Sequence, residues 1–356
     1  MIHRPRTRNI GISFGEIKHF HDGIGEFSRQ FGLTLAARAP ELRKQGIRLY
    51  FHLPKAHHGL FGHEVGYLHA RSRQRHIQIR PIRFDIWHSL NQHIRLKAPV
   101  GTRTQILTLH DLNLFYFMSG AEKERALKRQ LKNLKRADTI VTISDYVKQD
   151  LHSRLGWPGP VHRIYNGVRS LLDHPQEALP ELVGQPFFFH LSRMASSKNV
   201  EALARLAKAW PEKRFVFAGA RSDDSESFYK RLQADNITNA SCYFDISDAQ
   251  KAWLYQHCEA FLLPSLTEGF GLPTIEAMYF GKPVFLSDRT CMPEIGGDKA
   301  YYWHSFEPDD MRTVIETGLR HFHSHPSQPQ LVQQHAAQFS WTRCIDQYVE
   351  LYISQL

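Results

Sequence analysis

The feature that most limits how this chain can fold is an alternation that occurs twice. Short apolar runs of strand length are separated by stretches of helical periodicity. In the first half the runs are NIGISF (9–14), IRLYFHL (47–53), the DIWHS part of 82–90, TQILTLHDL (104–112), ADTIVTIS (137–144) and VHRIYNGV (161–168). Between them, IGEFSRQFGLTLAARA places Ile24, Phe27, Phe31 and Leu35 near one-turn spacing. DYVKQDLHSRL begins a helix after Ser144 or Asp145, either of which suits an N-cap. Strands joined by helical crossovers lie parallel, with helices over both faces of the sheet.

The stretch SLLDHPQEALPELVGQP, rich in proline and acids, interrupts the alternation, and residues 171–185 read as a linker. The pattern then restarts with PFFFHLSRM, RFVFAGA, SCYFDIS, AFLLPS and KPVFLSD as strands. KNVEALARLAKAW, SESFYKRLQAD, DAQKAWLYQHCE and PTIEAMYFG are the helices between them. A chain of 356 residues suits two such domains better than one core. The expected architecture is α/β, with two Rossmann-like doubly wound domains at 1–170 and 186–338 facing across a cleft. A final amphipathic helix at 339–356 has Trp341, Ile345, Tyr348 and Leu351 along one side. In open parallel sheets ligands bind beyond the carboxyl ends of the strands, so the loops after strands are where chemistry is sought.

Bulk properties exclude several classes. No apolar run approaches the roughly 18 residues of a membrane-crossing helix, and the apolar part of the basic N-terminus MIHRPRTRNIGISF is too short for a signal peptide. A cytoplasmic chain is expected. Cys242, Cys258, Cys291 and Cys344 lack metal-type spacing and read as buried free thiols. HFHSH at 321–325 lacks carboxylate or cysteine partners, so no metal site is expected there. The formal charge of +10 suits polyanions. Basic clusters lie at 43–48, 71–80 and 122–136; the last reads either as a solvated helix face or as a peripheral contact with the anionic inner face of a membrane. Nucleic acid is not an expected partner, because no recognisable reading element carries aromatics interleaved with the basic residues. Nothing in the sequence indicates an oligomeric state.

The densest chemistry lies in SLTEGFGLPTIEAM, 265–278. After the strand AFLLPS, Glu268-Gly269-Phe270-Gly271-Leu272 turns into Pro273, a residue favoured in a first helical turn. Glycines let a ligand approach the backbone, and the free N–H groups of the helix start favour an anion or sugar hydroxyls. Glu268 stands at the mouth and Glu276 one turn inside. Two carboxylates flanking an anion-binding helix start suit a ligand with hydroxyls at both ends and phosphate between, as in a nucleotide sugar; a glycine turn with capping acids is the plainer alternative. In HLSRMASSKN (190–199), Arg193 and Lys198 follow a strand, where they either neutralise a diphosphate or are solvated cations. In HFHDGIGE (19–26), Gly23 and Gly25 open a helix in a phosphate-cradling pattern that is weak alone. His110, at the end of TQILTLHDL, is either a packing residue or a pocket residue. Asp223-Asp224 reads as solvated or capping. GIGEFS lacks the third glycine of a dehydrogenase fingerprint, and a dehydrogenase would leave EGFGLPTIE unexplained.

Together these pieces resemble the retaining GT-B glycosyltransferases of family 4 over nearly the whole chain. EGFGLPTIE (268–276) is similar to the family's E-x(7)-E signature; HLSRM…KN, IYNGV (164–168), HDGIGEF, TLHDL, ISDYVKQDL and FSWTRCIDQY resemble its other segments. One departure is Ser192, where the family usually has glycine before the arginine. The resemblance implies an N-terminal acceptor domain, a C-terminal donor domain and a last helix that crosses back to the first. It implies that Glu268 contacts the donor sugar, Glu276 the ribose, and Arg193 and Lys198 the diphosphate. The backbone of Gly269, Phe270, Gly271 and Leu272 would meet the donor, His110 would line the sugar pocket, and Gly23 and Gly25 would close on phosphate. The implied reaction is metal-independent transfer of a hexose, mannose by preference, from GDP-mannose or a UDP-hexose to a glycan or lipid-linked acceptor in bacterial surface polysaccharide or lipopolysaccharide synthesis. No bound cofactor is implied. A GT-B relative acting as an epimerase or phosphorylase is the alternative.

Overall fold

The computed structural model describes residues 6–18, 20 and 23–356. It divides into two compact units. The first comprises residues up to Gly167 together with Ser340–Leu356, and the second is Val168–Phe339.

The first unit contains β1 (Arg8–Ser13), α1 (Gly23–Lys44), β2 (Ile47–Leu53), β3 (Gly66–His69), β4 (Ile86–Ser89), β5 (Thr104–Leu109), α2 (Leu114–Phe117), α3 (Gly120–Leu134), β6 (Thr139–Thr142), α4 (Asp145–Leu155) and β7 (Val161–Arg163). Its strands form one parallel sheet in the order β3-β2-β1-β4-β5-β6-β7. Ser144 is the N-cap of α4, accepting from the Val147 amide. β3 was not legible as a strand, because its GYLH is half-buried and short.

The second unit contains β8 (Phe188–Leu191), α5 (Val200–Ala209), β9 (Phe215–Gly219), α6 (Asp223–Ala234), β10 (Ala240–Phe244), α7 (Asp248–His257), β11 (Ala260–Leu263), α8 (Leu272–Tyr279), β12 (Val284–Ser287), α9 (Met292–Gly296), β13 (Tyr301–Trp303), α10 (Pro308–Ser324) and α11 (Gln328–Ala337). Its parallel sheet has the order β10-β9-β8-β11-β12-β13. Strand runs such as FFHL, FVFAG and AFLL are buried almost throughout, as parallel strands covered on both faces must be. The segment 171–185 is part of this unit rather than a separate linker. Leu171, Leu179 and Leu182 are buried in it, and Glu177 bonds α7 through its amide and its carboxylate.

The last helix, α12 (Trp341–Ser354), belongs to the first unit. Its buried face of Cys344, Ile345, Tyr348, Leu351 and Tyr352 joins the core of α1, β1 and β2. Tyr352 bonds His88 Nδ1 at 2.6 Å, His88 Nε2 bonds Thr108 at 2.8 Å, and Thr108 bonds Tyr348 at 2.9 Å. The run VHRIYNGV is strand only to Arg163. Beyond it Gly167 lies against Trp341, whose Cα would be 2.5 Å from a Cβ at that position.

Candidate functional site

Both sheets have a topological switch point, where the chain stops adding strands on one side and starts on the other. In the second unit it falls between β8 and β11, which pair in parallel through Phe188 and Phe189. The loops leaving these two strands diverge and leave a crevice at their carboxyl ends. The loop after β8 carries Arg193 and Lys198, and the loop after β11 carries Glu268. They are stitched by the Leu266 amide donating to Ser197 O at 2.8 Å.

Lys198 Nζ donates to Glu268 Oε1 at 2.6 Å, and the Ser265 hydroxyl donates to the same oxygen at 2.9 Å. The two side chains are only 16% and 12% exposed, so the pair is well removed from water. Arg193 is exposed and makes no ion pair among the described residues. Its backbone position is set by neighbours. His190 Nδ1 faces Leu262 O at 2.8 Å and must therefore carry the proton; Nε2 then accepts from the Ser192 hydroxyl at 2.7 Å, whose oxygen in turn accepts the Met194 amide at 2.9 Å. Burial pushes His190 down to about 4, which keeps the ring neutral for this arrangement. Ser192, the departure from the usual glycine, thus ties the loop to His190. Glycine is required instead across the sheet at Gly219, where a Cβ would stand 1.9 Å from Ser192 O.

The glycine turn enters α8 through Gly271, whose φ of +82° lies in the left-handed region. Leu272 and Pro273 open the helix, and Phe270 is buried edge-on to Phe339. Glu276 accepts from Tyr255 OH at 2.8 Å on one carboxylate oxygen, and Lys251 Nζ lies 3.4 Å from the other. Burial would depress the Lys251 ammonium, but the carboxylates of Glu276 and Asp248 outweigh it and hold its pKa above the usual lysine value. Burial and Glu276 push the Tyr255 phenol well up, so it remains a donor. The Glu268 peptide is clasped by the loop after β12: its amide donates to Thr290 Oγ1 at 3.1 Å, and its carbonyl receives the Cys291 thiol at 3.3 Å.

Sequence reasoning missed Lys251, Tyr255, Ser265, His190 and Thr290 as members of this site. Lys251 and Tyr255 carry a signal, since a spacing of four places them on one face of α7. The others are joined to the site only through the sheet. Asp223 and Asp224 occupy the first turn of α6 behind the Ser222 N-cap, where they complement the helix dipole. Among the described residues no group of three or more His, Cys, Asp or Glu could hold a metal. His321 instead bonds Tyr301 OH at 2.8 Å and packs, tilted, against His325.

The remaining expected residues belong to the first unit. His110 is buried at the end of β5, with Nε2 donating to Leu90 O at 2.9 Å and the ring edge-on to Phe27. Burial lowers its pKa, so the ring is neutral and Nδ1 is left as its acceptor. Gly23 is the first residue of α1, with open space around it, and Gly25 is buried one step further in. His19, His21 and Asp22 of the same loop lie outside the described residues.

The family model for glycosyl transferases group 1 matches residues 175–316, which include Arg193, Lys198, Glu268 and Glu276, and the glycosyltransferase family 4 model matches residues 29–170. The chain belongs to the group 1 glycosyltransferases. This glycosyltransferase is 24% identical over 284 residues to O-antigen chain mannosyltransferase B of Escherichia coli, covering 75% of this chain and 74% of that one. It is 24% identical over 215 residues to O-antigen chain mannosyltransferase RfbU of Salmonella typhimurium, covering 59% of each. Its match to the serotype-specific mannosyltransferase WbdA of Escherichia coli, also 24% identical, spans 71% of this chain and 34% of the relative. Among solved structures, sucrose-phosphate synthase from Thermosynechococcus elongatus superposes with a TM-score of 0.73 at 17% identity, over 98% of both chains. Anabaena HepE in complex with UDP-glucose does so with a TM-score of 0.72 at 16% identity, over 97% of this chain and 99% of that one. The fold is GT-B, with two Rossmann-like domains and the last helix returned to the first.

Proposed function

We propose that this glycosyltransferase transfers a hexose, mannose by preference, from a nucleotide diphosphate sugar to a glycan or lipid-linked acceptor of a bacterial surface polysaccharide, with retention and without a bound metal. The observation that carries the reading is the cluster at the β8/β11 switch point: Lys198 paired to Glu268, with Arg193 exposed on the Lys198 loop and Glu276 one turn into α8. The names of the mannosyltransferase relatives support mannose and O-antigen-type glycans. The neighbour solved with UDP-glucose keeps a UDP-hexose open beside GDP-mannose as donor.

In this reading the diphosphate takes up Lys198 and Arg193, and Glu268, freed of its lysine, turns its carboxylate to the sugar hydroxyls. Charge that develops on the leaving phosphate meets two cations, an interaction of the kind typically worth about 3–4 kcal/mol of barrier per group. The acceptor hydroxyl attacks the face the leaving group vacates, with a phosphate oxygen as base. Glu276 grips the ribose; Tyr255 and Lys251 hold its carboxylate in place. The test is thermal stabilisation by a panel of nucleotide sugars and diphosphates, with and without EDTA, followed by product analysis. Stabilisation by one nucleotide series, indifferent to EDTA and lost in Glu276→Ala, is expected. No response to any of them refutes the donor site, and turnover of donor without acceptor points to an epimerase or phosphorylase.

A lipid-linked acceptor would bring the enzyme to an anionic leaflet, and we place that contact on residues 71–103 rather than on α3. The exposed side of α3 mixes Glu122 and Glu124 with its cations, while Leu127 and Leu131 are half-buried. By contrast, Ile77, Ile79 and Val100 are 55%, 74% and 68% exposed, and the Val100 amide donates to Gln78 O, which joins their two segments. From Val65 to Arg103 the chain carries seven arginines and Lys97 against the single acid Asp85. Aliphatic side chains that can enter an interface, set among cations of which Arg75 alone, among the described residues, pairs with an acid from outside the segment, Glu16, fit anionic lipid; a second copy of a chain with charge +10 would meet like charge.

A further inference from the structure

Among the described residues, the non-glycine residues with φ in the left-handed region are Met194, Asn199, Asn236, Asp245 and Thr290. Asn and Asp tolerate this region, because their short polar side chains bond the local backbone. Methionine and threonine have no such relief, and threonine, being β-branched, is the worse placed. Both lie in the loops that build the donor site. Met194 follows Arg193 directly. Thr290 follows β12, and its hydroxyl accepts the backbone amide of Glu268 at 3.1 Å. Backbone strain of this kind persists only where the surroundings over-determine it. Here Cys291 is buried against the Glu268 carbonyl, and Ser287, at the end of β12, donates to Ser265 O at 2.6 Å. The loop that bears Glu268 is therefore fastened to the β12 loop at Ser265 and on both sides of the Glu268 peptide.

Glycine at 290 would fit a φ of +54° without strain, but it has no hydroxyl to hold Glu268. We infer that Thr290 is a positioning residue. Its side chain fixes the main chain of Glu268 so that the carboxylate meets the donor in one orientation, and the left-handed backbone is the cost of putting a hydroxyl there. The inference rests on the donor-site reading given above.

The experiment compares Thr290→Gly, Thr290→Val and Thr290→Ser. Removing the hydroxyl from a left-handed threonine in Thr290→Gly has opposite consequences for the two readouts. The Tm is expected to stay level or rise by a degree or two, since glycine relieves the strain while adding unfolded-state entropy. The kcat is expected to fall about tenfold, with a smaller change in donor KM, as for an interaction realised in the transition state. Thr290→Val, which keeps the shape and the strain but lacks the hydroxyl, should lose kcat similarly. Thr290→Ser should retain it within about twofold, because the hydroxyl that bonds Glu268 is kept. Hydrogen exchange at the Glu268 amide should accelerate in the Gly and Val variants and stay slow in Ser. Wild-type kcat in Thr290→Val overturns the inference, as does unchanged exchange at Glu268. A fall of several degrees in the Tm of Thr290→Gly alongside its kcat also overturns it, by showing a merely structural role. The wild-type thermal shift with nucleotide sugars is recorded first. A shift there with unaltered kcat in the variants refutes the inference alone; no shift refutes the donor-site reading, and the inference with it.

Discussion

In the proposed donor site, the Lys198–Glu268 bond serves stability and catalysis together. Replacing it with alanine leaves the Glu268 carboxylate, 12% exposed, with the Ser265 hydroxyl as its remaining side-chain donor in the structure. Removing one partner of a well-buried pair typically costs about 3–5 kcal/mol, because the other charge stays desolvated. We take the lower end, since the pair opens toward the crevice. At about 2–4 °C per kcal/mol for a unit of this size, the Tm of the second unit should fall by about 6–12 °C. Changing both residues, Lys198→Met with Glu268→Gln, removes the stranded charge, and most of that loss should return. Activity should not: kcat should be down by about two to three orders of magnitude in the single variant, and no better in the double one. The assay is calorimetry, following the transition that Lys198→Ala shifts, alongside initial rates at saturating donor. Unchanged Tm in Lys198→Ala would show that solvent already screens the pair. Activity recovered in the double variant would show that lysine acts only by neutralising Glu268, and the diphosphate role would be wrong.

Other outcomes follow from single contacts. His190, held at about 4 when folded against about 6.5 when unfolded, contributes stability that is complete above pH 6.5 and is lost as the pH falls through 4. The loss is on the order of 3 kcal/mol, so the pH dependence of the second unit's Tm between those values should flatten in His190→Asn, which keeps a donor for Leu262 O. Gly167→Ala would press a methyl into Trp341, with an expected cost of about 1–3 kcal/mol. Limited proteolysis should then release α12 before the rest of the first unit is cut. Binding to vesicles that contain phosphatidylglycerol should fall at least about tenfold in Ile77→Ser/Ile79→Ser, the floor set by the roughly 1.5 kcal/mol for burying even one such side chain, while the donor thermal shift stays unaltered. An equal loss from Lys128→Glu/Arg129→Glu alone would move the contact to α3.

The sheet architecture was legible because buried parallel strands leave short continuous apolar runs such as AFLL and FVFAG, whose length and recurrence between helical stretches, rather than periodicity, mark them as strands. Boundaries were less so. VHRIYNGV is apolar enough for a longer strand, but the strand stops at Arg163 and Gly167 beyond it packs against Trp341. The proline-rich stretch at 171–185 was legible as irregular but not as part of the second unit, since the burial of Leu171 and Leu179 depends on partners distant in sequence. The acids, cations and glycine turn of the candidate site were named from spacing within single loops.

By itself the sequence determined the repeated α/β plan, the loops of the candidate site, and the kinship of the chain, because each is written in local order: alternation, a proline after a glycine turn, two glutamates a fixed distance apart. Only the tertiary structure decided who meets whom. Lys198 and Glu268 are 70 residues apart, and Thr290 reaches Glu268 from a neighbouring strand, because a parallel sheet brings its carboxyl ends together whatever the length of chain between them. The serine in place of glycine at 192 stood out in sequence only as a departure; in the structure it is a bridge between His190 and Met194, a role set by the left-handed turn that follows it and by a carbonyl on β11.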